Sequence, residues 1–295
     1  MLTTSEAANY LRLGERKLYE LVAEGAIPCT KVTGKWLFPR DELDRWVLSG
    51  LMRPAGMSQP DPPLIVGGSQ DALLEWCLRE SGSGLATLVE GTKNGVDRVL
   101  RGEAIAAAIH FCNEDDLQSS SGDANVAAVR ALANLHDAVL VGFVRREQGL
   151  LVQPGNQKKL TSIPDALASG AKMAVRQPGA GAQMLLDALL KKHGAKPGDL
   201  RRLDPPCLTG PDLAAAIRDG KADCGIATRA AAKAAGLDFI PLLWENFDLL
   251  MRQRSYFKSP MQALTNFMSQ PLLKQRAKDF TGYDTAPAGK IRFFT

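Results

Sequence analysis

Residues 3–25 read TTSEAANYLRLGERKLYELVAEG, and the helical pattern of the N-terminal region is contained in this stretch. Thr3 and Glu6 have the spacing of a capping box, which predicts a helix that begins after Thr3 and runs through Leu11. After a short turn, a second helix is predicted at 15–24, because apolar side chains recur there at the i, i+3, i+4 spacing. Two helices joined by a short turn are typical of a helix-turn-helix unit.

Residues 27–39 predict a wing beside these helices. The segments 27–32 and 36–39 are short and strand-like and are separated by a glycine turn, which predicts a hairpin. Asp41 is predicted to cap a last helix that carries apolar side chains on one face. Two helices, a hairpin and a third helix predict a winged helix-turn-helix domain.

Basic side chains are grouped in this region although its net charge is small. Residues 1–53 contain eight basic and seven acidic side chains, so the region as a whole carries no strong positive field. A recognition helix enters the DNA major groove with its N-terminal residues nearest the bases, and Arg16 and Lys17 occupy those positions. The predicted DNA-binding residues are Arg16, Lys17, Tyr19, Lys31, Lys35 and Arg40. A solvated charged face and a protein-binding module are the alternatives to this interpretation.

A change in composition separates this region from the rest of the chain. Residues 51–63 contain four prolines and have no helical or strand periodicity, which is typical of a partly extended linker. We therefore expect a DNA-binding domain at 1–50, a linker at 51–63 and a second domain at 64–295. The length of 295 residues agrees with two or three folding units.

From residue 64 onward, apolar strand-like runs alternate with amphipathic helices. Strands are predicted at 64–68, 85–89, 104–109, 138–143, 172–175 and 224–227. Helices are predicted at 70–79, 94–101, 124–136, 181–193 and 211–219. This alternation predicts an α/β fold with parallel sheets covered by helices on both faces, divided into two lobes.

Two glycine-rich turns follow predicted strands and lead into helices, at 67–71 and at 176–183. Such junctions bind anions through unpaired backbone N–H groups and the helix dipole. Because the two turns lie in different predicted lobes, we expect them to face one another across a cleft and to hold one anion. The predicted ligand-binding residues are Ser69, Gln70, His110, Arg145, Arg176, Gln177, Gly179, Ala180, Gly181 and Gln183.

Some of these side chains have more than one interpretation. His110 follows a buried strand and either points into the cleft or is a structural histidine. Arg145 and Arg146 follow the predicted crossover strand, and we expect one of them to face the cleft and the other to face solvent. Asp223 and Glu245 are interpreted as helix or hinge partners rather than ligands.

Several function classes are disfavoured by composition. No stretch reaches the roughly 20 apolar residues of a membrane span, and the N-terminus has no secretory pattern, so we expect a cytoplasmic protein with no membrane partner. The five cysteines are scattered and there are three histidines, which predicts neither a disulfide framework nor a metal site. No catalytic arrangement is recognisable, so we expect no enzyme activity and no cofactor. The net charge of +4 permits nucleic-acid binding but does not argue for it.

Residues 2–48 closely resemble the excisionase-type, MerR-like DNA-binding module through TTSEAANYL, ERKLYELVAEGAIP and KVTGKWLFPRDELDRWV. Residues 64–270 resemble the periplasmic-binding-protein-like sensor domain often attached to such modules, through the segments at 139–157, 162–190 and 220–250. They are similar, more distantly, to molybdate-binding solute receptors. The second resemblance implies a two-lobed domain that closes on a small ligand, with the chain crossing between lobes near Gly142–Gly149 and Phe239–Asp248.

The chain departs from that family at the second turn. The family's loop reads like GSGTR, whereas residues 179–183 read GAGAQ, so two hydroxyl groups and a cation are missing. Each hydrogen bond to a charged ligand contributes roughly 1.5–3 kcal/mol. A smaller or partly organic anion and a degenerate site are therefore alternatives to a tetrahedral oxyanion.

Together these features predict a one-component transcription regulator, a homodimer or higher oligomer, whose partners are double-stranded DNA and a small anionic ligand. The ligand is expected to be an oxyanion such as molybdate or tungstate, or a small organic acid. An enzyme of molybdenum-cofactor or anion metabolism is one alternative function. An adaptor whose N-terminal module binds protein is the other.

Overall fold

The computed structural model describes residues 1–32, 34–49, 60–112, 123–132 and 135–294. The chain divides into two compact units, Met1–Pro60 and Asp61–Thr295. Most of the linker predicted at 51–63 lies outside the described residues, as does residue 33 of the predicted wing.

The first unit is a small helical domain with a capped first helix. Its elements are β1 (Leu2–Thr3), α1 (Thr4–Leu11), α2 (Glu15–Ala23), β2 (Leu37–Phe38) and α3 (Arg40–Ser49). The predicted capping box is present, because the Glu6 N–H donates to the Thr3 hydroxyl and the Thr3 N–H donates to the Glu6 carboxylate. The buried apolar core comprises Ala7, Ala8, Leu18, Ile27, Phe38 and Leu43.

The wing differs from the predicted hairpin. The described residues form one isolated bridge between Thr30 and Leu37 instead of two regular hairpin strands. Strand β2 pairs antiparallel with β1 at the N-terminus of the chain, so it lies between β1 and the Thr30 bridge. The prediction of a hairpin over 27–39 is therefore only partly correct.

The start of the last helix also differs from its prediction. Helix α3 begins at Arg40, so Asp41 lies in its first turn and is not the cap. The Pro39 carbonyl accepts the N–H groups of Glu42 and Leu43, which places Pro39 immediately before the helix.

The second unit is an α/β fold. Its strands are β3 (Ile65–Gly68), β4 (Ala86–Val89), β5 (Ala106–Ile109), β6 (Ala138–Val152), β7 (Lys172–Ala174), β8 (Arg201–Arg202), β9 (Cys224–Thr228), β10 (Asp238–Arg252), β11 (Tyr283–Asp284) and β12 (Ile291–Phe294). Its helices are α4 (Ala72–Glu80), α5 (Thr92–Arg101), α6 (Ala124–Arg130), α7 (Ile163–Ala168), α8 (Gly181–Lys192), α9 (Gly210–Arg218), α10 (Arg229–Ala235), α11 (Gln253–Tyr256), α12 (Ser259–Met268) and α13 (Pro271–Phe280), with a 3₁₀ helix at Pro197–Asp199. Helix α6 is shorter than predicted, because the Leu132 N–H bonds to the Val129 carbonyl and tightens the chain beyond the last α-helical turn.

The sheet of this unit is mixed rather than parallel. Its strands follow the order β4-β3-β5-β10-β6-β9-β7-β8. Strand β3 is parallel to β4 and β5, and β7 is parallel to β8 and β9, as predicted. The central pairings of β10 with β5 and β6, and of β6 with β9, are antiparallel. The prediction fails at the centre because two long strands join the parallel halves.

Strands β6 and β10 run through both lobes of the unit and connect them. Strands β6 and β10 are each 15 residues long and pair with one another along their length. Strand β10 pairs with β5 in the first lobe, and β6 pairs with β9 in the second. The crossings predicted at 142–149 and 239–248 lie within these strands. Each lobe has its own buried apolar core.

The cysteines lie mostly in the interior. Cys77, Cys207 and Cys224 are buried, which agrees with their interpretation as small hydrophobic residues, whereas Cys29 and Cys112 are only half-buried. Within the described part of the chain, no helix combines the length and apolar character needed to cross a membrane.

Candidate functional site

A cavity of about 120 Å³ lies between the two lobes of the second unit. This volume is several times the roughly 10–15 Å³ that a cavity needs to hold one water molecule, so a small molecule fits. The first lobe and strand β6 contribute the polar residues Ser69, Gln70, Asp71, His110, Arg146, Gln148 and Tyr283 to its wall. The second lobe contributes Arg176, Ala180 and Gly181, among others.

In the first glycine-rich turn, at 67–71, polar side chains of the protein already bond to one another and to the start of helix α4. Asp71 Oδ1 accepts hydrogen bonds from the N–H groups of Leu73 and Leu74 at 2.9 and 3.0 Å, so it caps α4. The Ser69 and Thr92 hydroxyl oxygens lie 2.8 Å apart and share a hydrogen bond. Because a carboxylate of the protein already occupies the N-terminus of α4, the geometry disagrees with the prediction that this turn binds an anion.

Arg146 is a buried cation in the cavity wall, with 2% of its surface exposed. Its Nε donates to Glu245 Oε1 at 2.6 Å, and its Nη1 donates to Asp71 Oδ2 at 3.0 Å. The guanidinium also lies 4.0 Å from the ring centroid of Phe247. Two carboxylates therefore balance this one cation, which is the condition under which a buried charge is tolerated.

Glu245 lies behind the cavity wall and forms hydrogen bonds with three residues of that wall. Its Oε2 is 3.0 Å from His110 Nδ1, and its Oε1 accepts hydrogen bonds from Arg146 and from Gln148 Nε2, the latter at 2.8 Å. Burial raises the pKa of Glu245, but the His110 and Arg146 interactions and the Gln148 hydrogen bond outweigh it and lower the pKa to about 2. Burial lowers the pKa of His110. A neutral imidazole therefore donates Nδ1–H to an ionised carboxylate.

The network continues to the C-terminal part of the chain. The Tyr283 hydroxyl donates to Asp71 Oδ2 at 3.0 Å. Burial, together with the nearby Asp71 charge, raises the pKa of Tyr283 well above its usual value, so the phenol stays neutral. Hydrogen bonds thus connect His110, through Glu245, Arg146 and Asp71, to Tyr283, which fixes these side chains in place.

The second glycine-rich turn opens helix α8 without a side-chain cap. Ala180 is the N-cap residue, and no side chain accepts a hydrogen bond from the first turn of the helix. Within the described residues, the N–H groups of Gly181 and Ala182 have no acceptor, and both residues line the cavity. This end of α8 therefore offers two unpaired donors and the positive end of the helix dipole.

Arg176 is the cation of the second lobe, and it has no carboxylate partner among the described residues. Its Nε and Nη2 donate to the carbonyl oxygens of Cys207 and Leu208 at 3.1 and 2.7 Å. Burial, with a further contribution from the Arg146 charge, lowers the pKa of Arg176 to about 10. Two guanidinium groups therefore act on the same cavity, and the one from the second lobe is not neutralised.

Four predicted ligand residues do not line this cavity. The Arg145 guanidinium carbon lies 5.9 Å from the centroid of the Trp244 ring. Arg146, rather than Arg145, lines the cavity. The Gln183 side chain bonds to the Arg176 N–H and to Asp187. The four residues are Arg145, Gln177, Gly179 and Gln183.

Asp71, Arg146, Gln148 and Tyr283 are cavity residues that the sequence-based prediction missed. Arg146 and Gln148 lie two positions apart on strand β6, so they face the same side of the sheet. This spacing of two positions is the sequence signal that could have placed both residues on the cavity side of the strand. Tyr283 had no such signal, because it reaches the cavity only through the pairing of β11 with β6.

The predicted DNA-binding residues lie on the surface of the first unit. Arg16, Lys17 and Tyr19 are exposed on α2, and both basic residues form ion pairs with Glu20. Lys35 is exposed as well. The two remaining cations contact aromatic rings, Lys31 over Trp36 at 5.2 Å and Arg40 over Tyr10 at 5.1 Å.

Comparison with known proteins gives both units a family. Residues 75–269 match the family model of the PBP superfamily domain, and residues 1–50 match that of a helix-turn-helix domain. The uncharacterized protein YvgK of Bacillus subtilis (strain 168) is 24% identical over 98% of this chain and 96% of its own length. An uncharacterized protein from the 5′ region of a ferredoxin 2Fe-2S gene of Clostridium pasteurianum is 25% identical, over 37% of this chain and 96% of its own.

A solved structure supports the fold of the second unit. A substrate-binding protein from Clostridium perfringens, crystallised with bound phosphate, aligns with a TM-score of 0.54 and 9% identity over 75% of this chain and 98% of its own. The matched domains are of DNA-binding and ligand-binding types. The chain therefore belongs to the PBP superfamily, and it carries an excisionase-like helix-turn-helix domain at its N-terminus.

Proposed function

We propose that this chain is a one-component transcription regulator, in which the first unit binds double-stranded DNA and the cavity of the second unit binds a small anion. The observation that carries the proposal is the presence, in one chain, of a helix-turn-helix domain and a PBP-type domain whose cavity holds unpaired donors. Ligand binding would then change the affinity for DNA without a separate sensor protein.

Three features of the second lobe support an anionic ligand. The N–H groups of Gly181 and Ala182 are unpaired at the positive end of α8, and Arg176 has no carboxylate partner in the described residues. Such a helix terminus favours negative charge, and closure of the lobes excludes the water that would screen it. The Clostridium perfringens protein of the same fold holds phosphate, which is consistent with an anion here.

The composition of the second turn favours an organic acid over a tetrahedral oxyanion such as molybdate or tungstate. Ala180 and Ala182 supply no hydroxyl donors, and Gln183 lies outside the cavity wall. An oxyanion with four oxygens would therefore find few side-chain donors in the second lobe. A carboxylate needs fewer donors, and two N–H groups with one guanidinium can serve it.

DNA binding is assigned to the N-terminal end of α2. Arg16 and Lys17 lie in its first turn with exposed side chains, which is the part of a recognition helix that reaches base edges. Lys35 is exposed in the wing region and supplies a phosphate contact. Lys31 and Arg40 are already held by aromatic rings and are secondary contacts.

A homodimer in the cytoplasm is part of the same proposal. A domain of fifty residues makes few base contacts, and helix-turn-helix proteins generally gain affinity by binding two half-sites as dimers. Sedimentation of the full-length chain tests this, because a monomer at the concentrations that bind DNA would contradict it.

The DNA-binding assignment is tested by selecting bound sequences from a random DNA pool with the full-length chain. The affinity for the selected duplex is then measured across roughly 50 to 200 mM salt, where phosphate contacts make the affinity fall steeply. A sequence preference together with that salt dependence supports the regulator. No binding to any duplex would contradict it and favour an adaptor, whereas turnover of a bound anion would favour an enzyme.

A further inference from the structure

The cavity wall formed by the first lobe and by strand β6 carries hydrogen-bond acceptors that have no donor. Within the described residues, Gln148 Oε1 and Gln70 Oε1 are buried and unpaired, and both residues line the cavity. Only 2% of the surface of Gln148 is exposed. A buried acceptor without a partner costs roughly 1–3 kcal/mol, so a partner supplied by a bound molecule is favoured.

Resting on the anion site proposed above, we infer that the ligand carries an N–H or O–H donor in addition to its anionic group. Its class is therefore a small molecule that carries both an anionic group and a hydrogen-bond donor, such as a hydroxy acid, a zwitterionic amino acid or a protonated oxyanion. Its anionic group faces the second lobe and its donor faces Gln148 and Gln70.

The orientation of the Gln148 amide is fixed by Glu245. Gln148 Nε2 donates to Glu245 Oε1 at 2.8 Å, and that carboxylate is ionised because Arg146 and His110 hold it. A flipped amide would place Oε1 against the carboxylate oxygen, which is repulsive. The free atom of Gln148 is therefore an acceptor, and a donor is the complementary group.

The two walls of the cavity carry opposite charge, which favours the same orientation of the ligand. On the first wall and behind it, Arg146 is balanced by Asp71 and Glu245 together, so one negative charge remains while His110 is neutral. On the second wall, Arg176 and the N-terminus of α8 are positive. An anion without donors would place its far side against acceptors and a negative charge, which is unfavourable.

Calorimetry on the full-length chain at neutral pH tests the inference with matched probes. Lactate and alanine are compared with propanoate, which has the same carbon skeleton and a carboxylate but no donor on its second carbon. Hydrogen phosphate is compared with sulfate, which lacks the O–H. We expect the best donor-bearing compound to bind at least tenfold more tightly than its donor-free match.

A variant identifies the acceptor. Gln148→Met keeps the length of the side chain and removes the acceptor, together with the hydrogen bond that Gln148 donates to Glu245, so it should reduce the preference for the donor-bearing compound over its donor-free match. Gln153→Met is the control, because Gln153 bonds to a carbonyl outside the cavity wall. Thermal melting of both variants checks that they are folded.

The outcomes separate the two proposals. Equal binding of donor-bearing and donor-free compounds would overturn the inference and leave the anion site standing. A preference that is undiminished in Gln148→Met would also overturn it, because the donor would then be recognised without Gln148. Binding of none of the five compounds would contradict the anion site itself, and with it the proposed function.

Discussion

The His110 ring and Gly181 are in such close contact that no side chain fits between them. A Cβ at position 181 would lie 2.0 Å from His110 Cε1 and 2.4 Å from Nε2, well inside van der Waals contact. The ring is buried and bonded to Glu245, so it cannot swing aside without losing that hydrogen bond. Because His110 belongs to the first lobe and Gly181 to the second, this contact requires that the lobes lie together.

Gly181→Ala should therefore keep the lobes apart. Of the five compounds proposed above for calorimetry, we take the one that binds most tightly. We expect the affinity for it to fall at least tenfold, about 1.4 kcal/mol, because the second-lobe donors no longer reach a ligand held by the opposite wall of the cavity. Calorimetry measures the change. Gly198→Ala is the matched control, since a Cβ there meets nothing within 4 Å. Wild-type affinity in Gly181→Ala would show that the contact is not needed for binding.

Arg176→Gln should weaken anion binding without unfolding the chain. The variant removes the cation of the second lobe that has no carboxylate partner in the described residues, and we expect at least a tenfold loss of affinity by titration calorimetry. Arg145→Gln serves as the control, because Arg145 contacts Trp244 and lies outside the cavity wall. Equal losses in both variants would mean that the effect is a general one of charge, not of the site.

Asp248 should make stability depend on pH. Burial raises its pKa to about 6, against the opposing effects of Arg292 and Asn125, from an ordinary value of 3.8. Between these values the folded state holds the proton more tightly, so a stabilising contribution present below pH 3.8 is lost as the pH rises through about 6. The loss amounts to about 3 kcal/mol at most.

Urea unfolding of wild type and of Asp248→Asn across this pH range measures that contribution. The stability of the wild type relative to the variant should decrease as the pH rises, because the variant has no proton to lose at this position. A difference between the two proteins that stays constant with pH would rule out titration of Asp248.

Glu20 should limit DNA affinity, because it pairs with both basic residues of helix α2, with Arg16 at 3.5 Å and with Lys17 at 3.2 Å. We expect Arg16→Ala to weaken specific binding by roughly 1–3 kcal/mol. Glu20→Gln should strengthen it, since the acidic side chain no longer competes with DNA. Glu24→Gln, at the far end of the helix, is the control in fluorescence anisotropy. Weaker binding by Glu20→Gln would contradict this docking of α2.

The sequence predicted the local structure well where the signals are local. The Thr3–Glu6 capping box and the strand–helix alternation of the second unit are present, because capping and hydrophobic periodicity depend on residues close in sequence. The antiparallel centre of the sheet was missed. The pairing of β10 with β5 and β6 joins residues more than 85 positions apart, and no local pattern encodes it.

The candidate site shows the same limit. The Gly181 end of α8 was predicted from its glycine-rich turn, because an uncapped helix start is a local feature. The ion pair of Asp71 with Arg146 was missed, since it depends on a side chain 75 positions away. The prediction named Arg145, whereas Arg146 lines the cavity, because the strand period gives two faces but not which of them the cavity takes.

The most direct test of the account is the DNA affinity of the full-length chain with and without a saturating amount of the tightest-binding anion of the panel. Fluorescence anisotropy on the selected duplex gives both values at one salt concentration. We expect the anion to change the affinity by roughly 5- to 150-fold, the usual range of coupling between two sites, and to have no effect at the same concentration on Arg176→Gln. An identical DNA affinity of the wild type with and without a bound anion would contradict the account.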